Sequence, residues 1–407
     1  MSLNMKEIQN RAEKKVEMLA PELKELSLKI HENPELGKEE FKACRWQVEL
    51  LKKYGFDAQD NFCGIPTAYH ASYISGKPGP KLAFLAEYDA LAGLGHGCGH
   101  NLIAMVSVGS GIASTEFADE FGGEIHVIGT PAEESAGAKV PMAKAGAFDD
   151  FDAVMMAHPA SMDAESPDTM AIISLKFEFF GRPAHAAGAP ENGRNALDAV
   201  VSFYQMVSAL RQQTKPDARI HGIITKGGTA VNVIPDYTEA VYNIRSNRVA
   251  DVKPLAERVR ACAEAAALGT GTTVKISPAD EDFMDTYSNR ALSDLACEQM
   301  EILGRNMLRF GRIVMPGSSD LGDVSYRCPA IQLGMSMGPS EDGNPYEPHT
   351  VEFAKQACTQ TALDSCMTFV KGFAMTAAKL LAEPEHLEKI KKEESKKVKK
   401  KGETDYE

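Results

Sequence analysis

The pattern of apolar and polar residues along the first part of the chain predicts alternating strands and helices. Short apolar runs follow Lys81 (LAFLA), Glu124 (IHVIG) and Ala153 (VMMA), and each ends in a polar turn. Such runs are typical of strands that are buried on both faces. A helical pattern, NLIAMVSVGSGIAST, begins at Asn101 between the first two runs. We therefore predict an α/β fold with a mostly parallel sheet that helices cover on both faces.

After about Pro167 the pattern predicts a second, inserted domain. Residues Ile173 to Phe180 alternate between apolar and polar, as in a strand with one face in water. The predicted elements that follow are a helix at 195–213, strands at 220–226 and 238–245, a helix at 252–268 and a strand at 273–277. This order is that of a ferredoxin-like α+β domain.

Patterns of the first kind resume at Asn289, so the predicted first domain is discontinuous. We expect a catalytic domain at 1–168 and 283–384, an inserted lid or dimerisation domain at 169–282, and a charged tail at 385–407. The tail is rich in lysine and glutamate and is expected to be solvated.

Composition narrows the classes of function. The net charge is -13, from 44 basic and 57 acidic residues, which argues against nucleic acid as a partner. No apolar run reaches the length of about 18 residues that a membrane span needs. The eight cysteines include no CxxC pair, so we expect reduced thiols and a cytoplasmic location.

The loop LGHGCGHN, at residues 94–101, combines three glycines with two histidines and a cysteine. A dinucleotide-binding G-x-G-x-x-G fingerprint is excluded, because Cys98 stands where the third glycine is required. Two interpretations stay open for the loop itself. Cys98 is either a nucleophile with His100 as its base, or a ligand of one metal cluster together with His100.

Other segments favour the metal site. The three apolar runs lead into Glu87 and Asp89, into Glu133 and Glu134, and into His158. In open α/β sheets, ligands bind at the carboxyl ends of the strands, where these residues are expected to meet. His349 lies in EPHTVEFA, before the stretch expected to be the final helix. It is expected to add a ligand from a fourth segment to this metal site.

Several motifs resemble the amidohydrolase branch of the aminoacylase and carboxypeptidase metallopeptidases. They are IHENPELGKEE, GHGCGHN, GTPAEES, MMAHPA, GRPAHAAGAPENGRNALDA and NVIPDYTEAVYNIR. This branch includes hippurate hydrolases, auxin-conjugate amidohydrolases and aminobenzoyl-glutamate hydrolases. The resemblance covers nearly all of residues 20–380, and LGHGCGHN with PAEES is most similar to the aminobenzoyl-glutamate hydrolases and related dipeptidases.

The resemblance implies a site for two divalent metal ions. Cys98 matches the bridging thiolate, His100 a ligand of one ion, Glu134 and His158 the ligands divided between the ions, and His349 the C-terminal ligand. Mixed thiolate, imidazole and carboxylate ligands suit zinc, and manganese or cobalt would also be accepted.

The same resemblance assigns catalytic roles beside the metal. Glu133 matches the general base that takes a proton from metal-bound water and passes it to the leaving amine. Asp89 matches an aspartate that orients a histidine ligand. Glu87 stands where other branches carry a histidine ligand, so His100 is expected to supply that ligand. His96 is expected to lie beside the ligands without binding metal.

In the inserted domain, the resemblance points to substrate-binding residues. His185 matches a histidine that relatives send across a dimer interface to stabilise the tetrahedral oxyanion. Asn232 and Arg245 match residues that bind the substrate's carbonyl and carboxylate. A homodimer through the inserted domain is therefore expected.

We thus predict a metal-dependent hydrolase of small N-acyl or N-aroyl amino acids or dipeptides, similar to aminobenzoyl-glutamate. The alternatives are a peptidase specific for free dipeptides and a non-catalytic binding protein with the same fold. The stretch GSSDLGDVS from Gly317 departs from the Ser-Glu-Asp-Phe of the hippurate branch. The substrate's side chains, the metal, assembly above a dimer and the role of the tail are not determined by the sequence.

Overall fold

The computed structural model describes residues 4–340, 343 and 346–401, the last five by their backbone alone. These residues group into two compact units. The first unit comprises 1–168, 286–313 and 320–407 within the described ranges, and the second comprises Thr169–Asp285 and Val314–Ser319. Residues 314–319 thus group with the second unit, although the sequence pattern places them in the returning segment.

The first segment begins with two helices, and strands and helices alternate in its later part. Its helices are α1 (Met5–Glu32), α2 (Phe41–Lys53), α3 (His100–Phe121) and α4 (Lys139–Lys144). Its strands are β1 (Asp57–Asp60), β2 (Tyr69–Ile74), β3 (Lys81–Ala86), β4 (Glu124–Gly129) and β5 (Ala153–Ala160). Helix α3 is buried on nearly all sides, which explains why its sequence is apolar around the whole helix.

The short strand β6 (Asp168–Thr169) lies at the boundary between the units. The second unit then contains β7 (Ala171–Phe180), α5 (Ala196–Leu210), β8 (Arg219–Lys226), β9 (Tyr237–Ser246), α6 (Val249–Thr270) and β10 (Thr273–Pro278). The chain continues with α7 (Arg290–Ile302), β11 (Val314–Met315), α8 (Leu321–Ser325), β12 (Ala330–Ser336), α9 (Val351–Gln356), α10 (Gln360–Ala382) and α11 (Pro384–Lys401).

The sheet of the first unit has six strands in the order β1-β2-β4-β3-β5-β12. Strands β4, β3, β5 and β12 run parallel to one another, and β1 and β2 pair antiparallel at one edge. After their first residues, β3 and β4 are buried throughout, as the continuous apolar runs predict. The predicted α/β class with a mostly parallel sheet is confirmed.

The second unit has a four-stranded antiparallel sheet in the order β10-β7-β9-β8. Along β7, Ile173, Leu175, Phe177 and Phe179 are buried while Lys176 and Glu178 are partly exposed. The Phe177 ring packs 4.5 Å from the ring of Phe203 in α5, centroid to centroid. The order β7-α5-β8-β9-α6-β10 confirms the predicted ferredoxin-like arrangement.

The prediction that the C-terminal tail is solvated is wrong for the first part of α11. Ile390 is fully buried in the core of the first unit. The side-chain amide of Asn289 donates to the carbonyl of Ile390, and the Ala291 amide donates to the Glu393 carboxylate at 2.8 Å. Ile390, with the partly buried Leu387, therefore anchors the helix to the core among many charged residues. No helix in the described ranges is long and apolar enough to cross a membrane.

Candidate metal centre

The predicted ligand residues of the first unit meet at the carboxyl ends of three neighbouring strands. Strand β3 lies between β4 and β5, so the loops that follow β3 and β4 lie beside His158 at the end of β5. His349 was expected to precede the final helix, but it precedes the short helix α9 instead. Its backbone amide donates to the Gly97 carbonyl at 2.8 Å, which brings it to the glycine loop.

The donor atoms form three overlapping groups, each within 4.8 Å: Cys98, His100 and His158; Cys98, Glu134 and His349; and His100, Glu133 and Glu134. The Cys98 Sγ lies 3.5 Å from His158 Nε2, and the Glu134 Oε1 lies 3.3 Å from His349 Nε2. All six side chains that were predicted to bind metal or act as base are therefore brought together.

Asp89 connects the loops after β3 and β4. Its Oδ1 accepts a hydrogen bond from His100 Nδ1 at 2.9 Å, and its Oδ2 accepts one from the Glu134 amide at 2.9 Å. Because Nδ1 of His100 carries this proton, Nε2 is directed at the cluster. A carboxylate that orients a histidine in this way is typical of metal sites.

Unpartnered polar atoms within the cluster fit a bound cation. His100 Nε2 and Glu134 Oε1 are buried and, among the described residues, have no hydrogen-bond partner. Buried polar atoms are normally satisfied, because a lone donor or acceptor in the interior is costly. The thiolate, imidazole and carboxylate donors suit a divalent ion of the zinc type.

The electrostatics disfavour Cys98 as a nucleophile. Burial raises the pKa of the Cys98 thiol well above its ordinary value. Reactive thiols have a lowered pKa, whereas a coordinating cation removes the proton outright. Burial also lowers the pKa of His158, which favours the neutral imidazole that binds metal. His158 Nδ1 donates to the Pro159 carbonyl at 2.9 Å, so Nε2, which faces Cys98 Sγ, is the nitrogen that can bind a metal ion.

Glu133 has the environment of a proton carrier. Burial, together with the neighbouring charges of Glu87 and Asp320, raises the pKa of Glu133 well above its ordinary value. A carboxylate with a raised pKa exchanges protons more readily near neutral pH.

The site backbone adopts left-handed conformations at several residues. Gly99 ends the glycine loop with φ 73°, and Ala132 and His349 have φ 59° and 66°. Left-handed conformations are unfavourable for residues with a Cβ, and such strain clusters at functional sites. The alanine precedes Glu133 directly, so its conformation determines where the two glutamates point.

His96 lies outside the groups of donor atoms. Its Nε2 donates to the Ile30 carbonyl at 3.1 Å, and its ring stacks on His31 with centroids 5.9 Å apart. Burial lowers the pKa of His96 to about 3, so the ring is neutral. These contacts support the prediction that His96 lies beside the ligands without binding metal.

Three buried residues near the site were not singled out from the sequence. Glu40 is fully buried, and its Oε1 accepts a hydrogen bond from the Ala132 amide at 2.7 Å. Lys139 and Asp320 are also fully buried and form an ion pair at 2.7 Å. Glu40 lies in IHENPELGKEE and Asp320 in GSSDLGDVS, so the motifs contained two of these residues but gave no sign of their contacts.

In the second unit, His185 and Asn232 lie on adjacent backbone segments. The Ala186 amide donates to the Asn232 carbonyl at 3.0 Å, and the Asn232 side chain is exposed. Arg245, in β9, donates from Nη1 to the Ser318 hydroxyl at 2.6 Å. Within the described part of the chain, no carboxylate lies within ion-pair distance of its half-buried guanidinium.

Comparison with known proteins identifies relatives over nearly the whole chain. Residues 169–270 match the model of the peptidase dimerisation domain of the M20 family. The chain is 35% identical over 404 residues to the Xaa-Arg dipeptidase of Mus musculus, covering 95% of this chain and 92% of that protein. It is 37% identical over 267 residues to one of the p-aminobenzoyl-glutamate hydrolase polypeptides of Escherichia coli K12, covering 60% of this chain and 55% of that protein.

A solved structure supports the fold. A dinuclear metal-binding peptidase of the M20 family from Bacillus subtilis superimposes with a TM-score of 0.67 at 19% identity, covering 90% of this chain and 99% of that chain. Together with the sequence identity to the dipeptidase, this shows that the chain is an enzyme of the M20 family of metallopeptidases and amidohydrolases, in its amidohydrolase branch.

Proposed function

We propose that this chain is a metal-dependent dipeptidase that hydrolyses the peptide bond of small dipeptides with a basic C-terminal residue. The observation that supports this most directly is the cluster of donor atoms with the unpartnered, buried His100 Nε2 and Glu134 Oε1. This geometry suits a hydrolytic metal centre with Glu133 beside it. A binding protein would have no need of a general base.

The relatives favour the dipeptidase alternative over the N-acyl or N-aroyl amino acids that were our main prediction. The similarity to the Xaa-Arg dipeptidase extends over 404 residues, whereas that to the aminobenzoyl-glutamate hydrolase polypeptide extends over 267. The net charge of -13 also favours the approach of a cationic dipeptide over that of a dianionic aroyl-glutamate.

In this proposal Cys98, His100, Glu134, His158 and His349 hold two divalent ions, and Asp89 orients His100. When bound, such ions make water more acidic and polarise an amide carbonyl. Glu133 accepts the proton of the attacking water and delivers it to the amine that leaves. Zinc, manganese and cobalt are the candidate metals.

His185 is proposed to stabilise the oxyanion. Its Nδ1 accepts a hydrogen bond from the Gly188 amide at 3.0 Å, so the proton of the neutral ring lies on Nε2. The Nε2–H is then a donor that its own loop does not use, as an oxyanion donor must be.

Arg245 and Asn232 are proposed to bind the substrate's carboxylate and carbonyl. The guanidinium of Arg245 uses Nη1 for Ser318 and has no acidic partner among the described residues. A planar guanidinium can donate two parallel hydrogen bonds to a carboxylate. The free C-terminus of a dipeptide is such a group.

A homodimer through the second unit is also proposed. Strand β8 lies at the edge of its sheet, and Ile223 and Ile224 on it are 66% and 38% exposed. Tyr204 on α5 is 47% exposed as well. An apolar edge strand is a template for pairing with another chain, and the unit matches a peptidase dimerisation domain.

The test combines metal analysis with hydrolysis of Ala-Arg, Ala-Leu and aminobenzoyl-glutamate by the wild type, Glu133→Gln and the control Glu352→Gln, which changes an exposed glutamate on α9. We expect close to two ions per chain and a preference for Ala-Arg. Glu133→Gln should keep its metal and lose roughly 10²- to 10⁴-fold in kcat, the usual range for removing a general base.

The other outcomes separate the alternatives. A preference for aminobenzoyl-glutamate would restore the N-aroyl prediction. The proposal would fail if the wild type binds no metal and hydrolyses none of the three compounds after zinc, manganese or cobalt is added.

A further inference from the structure

A second group of charged side chains lies beside the candidate metal centre. The Lys139 ammonium donates to Glu87 Oε1 at 2.6 Å and to Asp320 Oδ1 at 2.7 Å. All three residues are fully buried. One lysine thus connects the end of β3, the start of α4 and the residue before α8.

Stability alone is a weak explanation for these charges. Removing an ammonium and two carboxylates from water is costly, and apolar replacements of buried ion pairs are often neutral or stabilising. A buried triad next to a reactive site is therefore better explained by what it does for that site.

Glu87 is held so that one oxygen faces the candidate metal centre. Its Oε1 is bonded to Lys139, whereas its Oε2 is buried and makes no hydrogen bond within the described residues. That Oε2 lies 3.4 Å from His100 Nε2, the ring nitrogen that Asp89 leaves free.

The triad also borders the proposed base. Carboxylate oxygens of Glu87, Glu133 and Asp320 lie within 4.8 Å of one another. Three carboxylates this close repel each other strongly in the interior. Lys139 places its ammonium against two of these three carboxylates, Glu87 and Asp320.

We propose that Lys139 is a positioning residue of the metal centre and that Glu87 is a further carboxylate of that centre. Lys139 holds Glu87 by one oxygen and thereby presents the other to the ion that His100 binds. The inference rests on the proposed function, since it requires that His100 binds a metal ion.

The test uses Glu87→Gln, Lys139→Met and the double variant Lys139→Met/Glu87→Gln, with Lys144→Met as the matched control on an exposed position of the same helix. The double variant keeps the triad's net charge, because one positive and one negative charge are removed together. The measurements are zinc affinity by chelator competition, the visible absorption of the cobalt-loaded protein, and thermal unfolding.

We expect Glu87→Gln and the double variant to bind zinc about 10- to 100-fold more weakly, the usual effect of losing a group that supports metal ligands. Their cobalt absorption should differ from that of the wild type, while Lys144→Met should match the wild type in zinc affinity and cobalt absorption. If Lys139→Met fails to fold, Glu87→Gln and the double variant still test whether Glu87 belongs to the metal centre.

A purely structural role predicts another result. The charge-balanced double variant would then fold and bind zinc with wild-type affinity and an unchanged cobalt spectrum, which would overturn the inference while leaving the proposed function intact. If the wild type itself binds no metal, the proposed function fails, and this inference fails with it.

Discussion

Single carboxylates outside the ligand set determine much of the geometry of the candidate metal centre. Asp89 joins the His100 ring to the Glu134 amide, and Glu40 accepts the amide of the left-handed Ala132 before Glu133. The role of Asp89 was expected from the resemblance, because it stands where relatives carry an aspartate that orients a histidine ligand. Glu40 acts across 92 positions of the chain, and no local pattern indicates such a contact.

At this scale the first prediction concerns the pH dependence of stability. Burial, with a smaller contribution from Asp89, raises the pKa of Glu40 from 4.5 to about 7. A raised pKa in the folded state means that Glu40 stabilises the fold fully below about pH 4.5 and that this contribution is lost as the pH rises through about 7. Glu40→Gln stays neutral and keeps an oxygen for the Ala132 amide.

We therefore expect the free energy of unfolding of the wild type to fall between pH 5 and pH 8 relative to that of Glu40→Gln. The shift in the pKa of Glu40 limits this change in the free energy of unfolding to roughly 3 kcal/mol. Urea unfolding across this pH range measures it, and Glu39→Gln, at the exposed neighbouring position, should follow the wild type. Parallel curves for wild type and Glu40→Gln would contradict the assignment.

At the scale of elements, the turn into α3 places two ligands. Gly99 is the residue before α3 and lies between Cys98 and His100 with φ 73°. A Cβ at this position would lie 2.9 Å from Pro159 Cγ, next to His158. The turn therefore needs glycine both for its backbone conformation and for the space beside the third ligand.

The second prediction compares two glycines of this loop. Gly95→Ala meets open space at φ 75°, so it should cost only the left-handed penalty of about 1–2 kcal/mol. Gly99→Ala adds the clash with Pro159 and should cost at least about 1 kcal/mol more. It should also reduce bound zinc, whereas Gly95→Ala should not. Urea unfolding and metal analysis measure both effects, and equal losses in the two variants would refute the role of the clash.

The third prediction concerns α11. Ile390 is fully buried, so Ile390→Ala should lower the free energy of unfolding by about 2–5 kcal/mol. Lys392→Ala, at an exposed position of the same helix, should leave it within about 0.5 kcal/mol of wild type. Thermal and urea unfolding provide the measurement. If the two variants have the same free energy of unfolding, Ile390 does not anchor α11, and the helix is the solvated tail that its composition predicts.

At the scale of the whole molecule, the chain combines two units with different patterns of burial. The first has a largely parallel sheet with the donor cluster at the carboxyl ends of its strands, and the second has an antiparallel sheet with β10 and β8 at its edges. The edge at β8 is where we propose that two copies of the chain pair, because this unit matches a peptidase dimerisation domain. Its apolar exposure suits a partner of the same kind.

The fourth prediction tests that assembly. Ile223→Lys places a charge on the exposed β8 edge and should shift a homodimer toward monomers in sedimentation velocity at micromolar concentration. Leu268→Lys, at an 85% exposed position of α6 in the same unit, should leave the sedimentation coefficient unchanged. A dimer that persists in Ile223→Lys, or monomers in the wild type, would refute the β8 interface.

The sequence by itself determined the types of element, their order and the class of fold, because apolar periodicity is a local property that burial imposes on each strand and helix. It also indicated the glycine loop and the strand ends, since ligands close together in sequence stay close in space. Only the tertiary structure brought His349 to Gly97, Glu40 to Ala132 and Lys139 to Asp320, 181 positions away. Whether a charged residue faces water or a buried partner depends on distant segments, so Lys139 and the anchoring Ile390 of α11 could be assigned only from the folded chain.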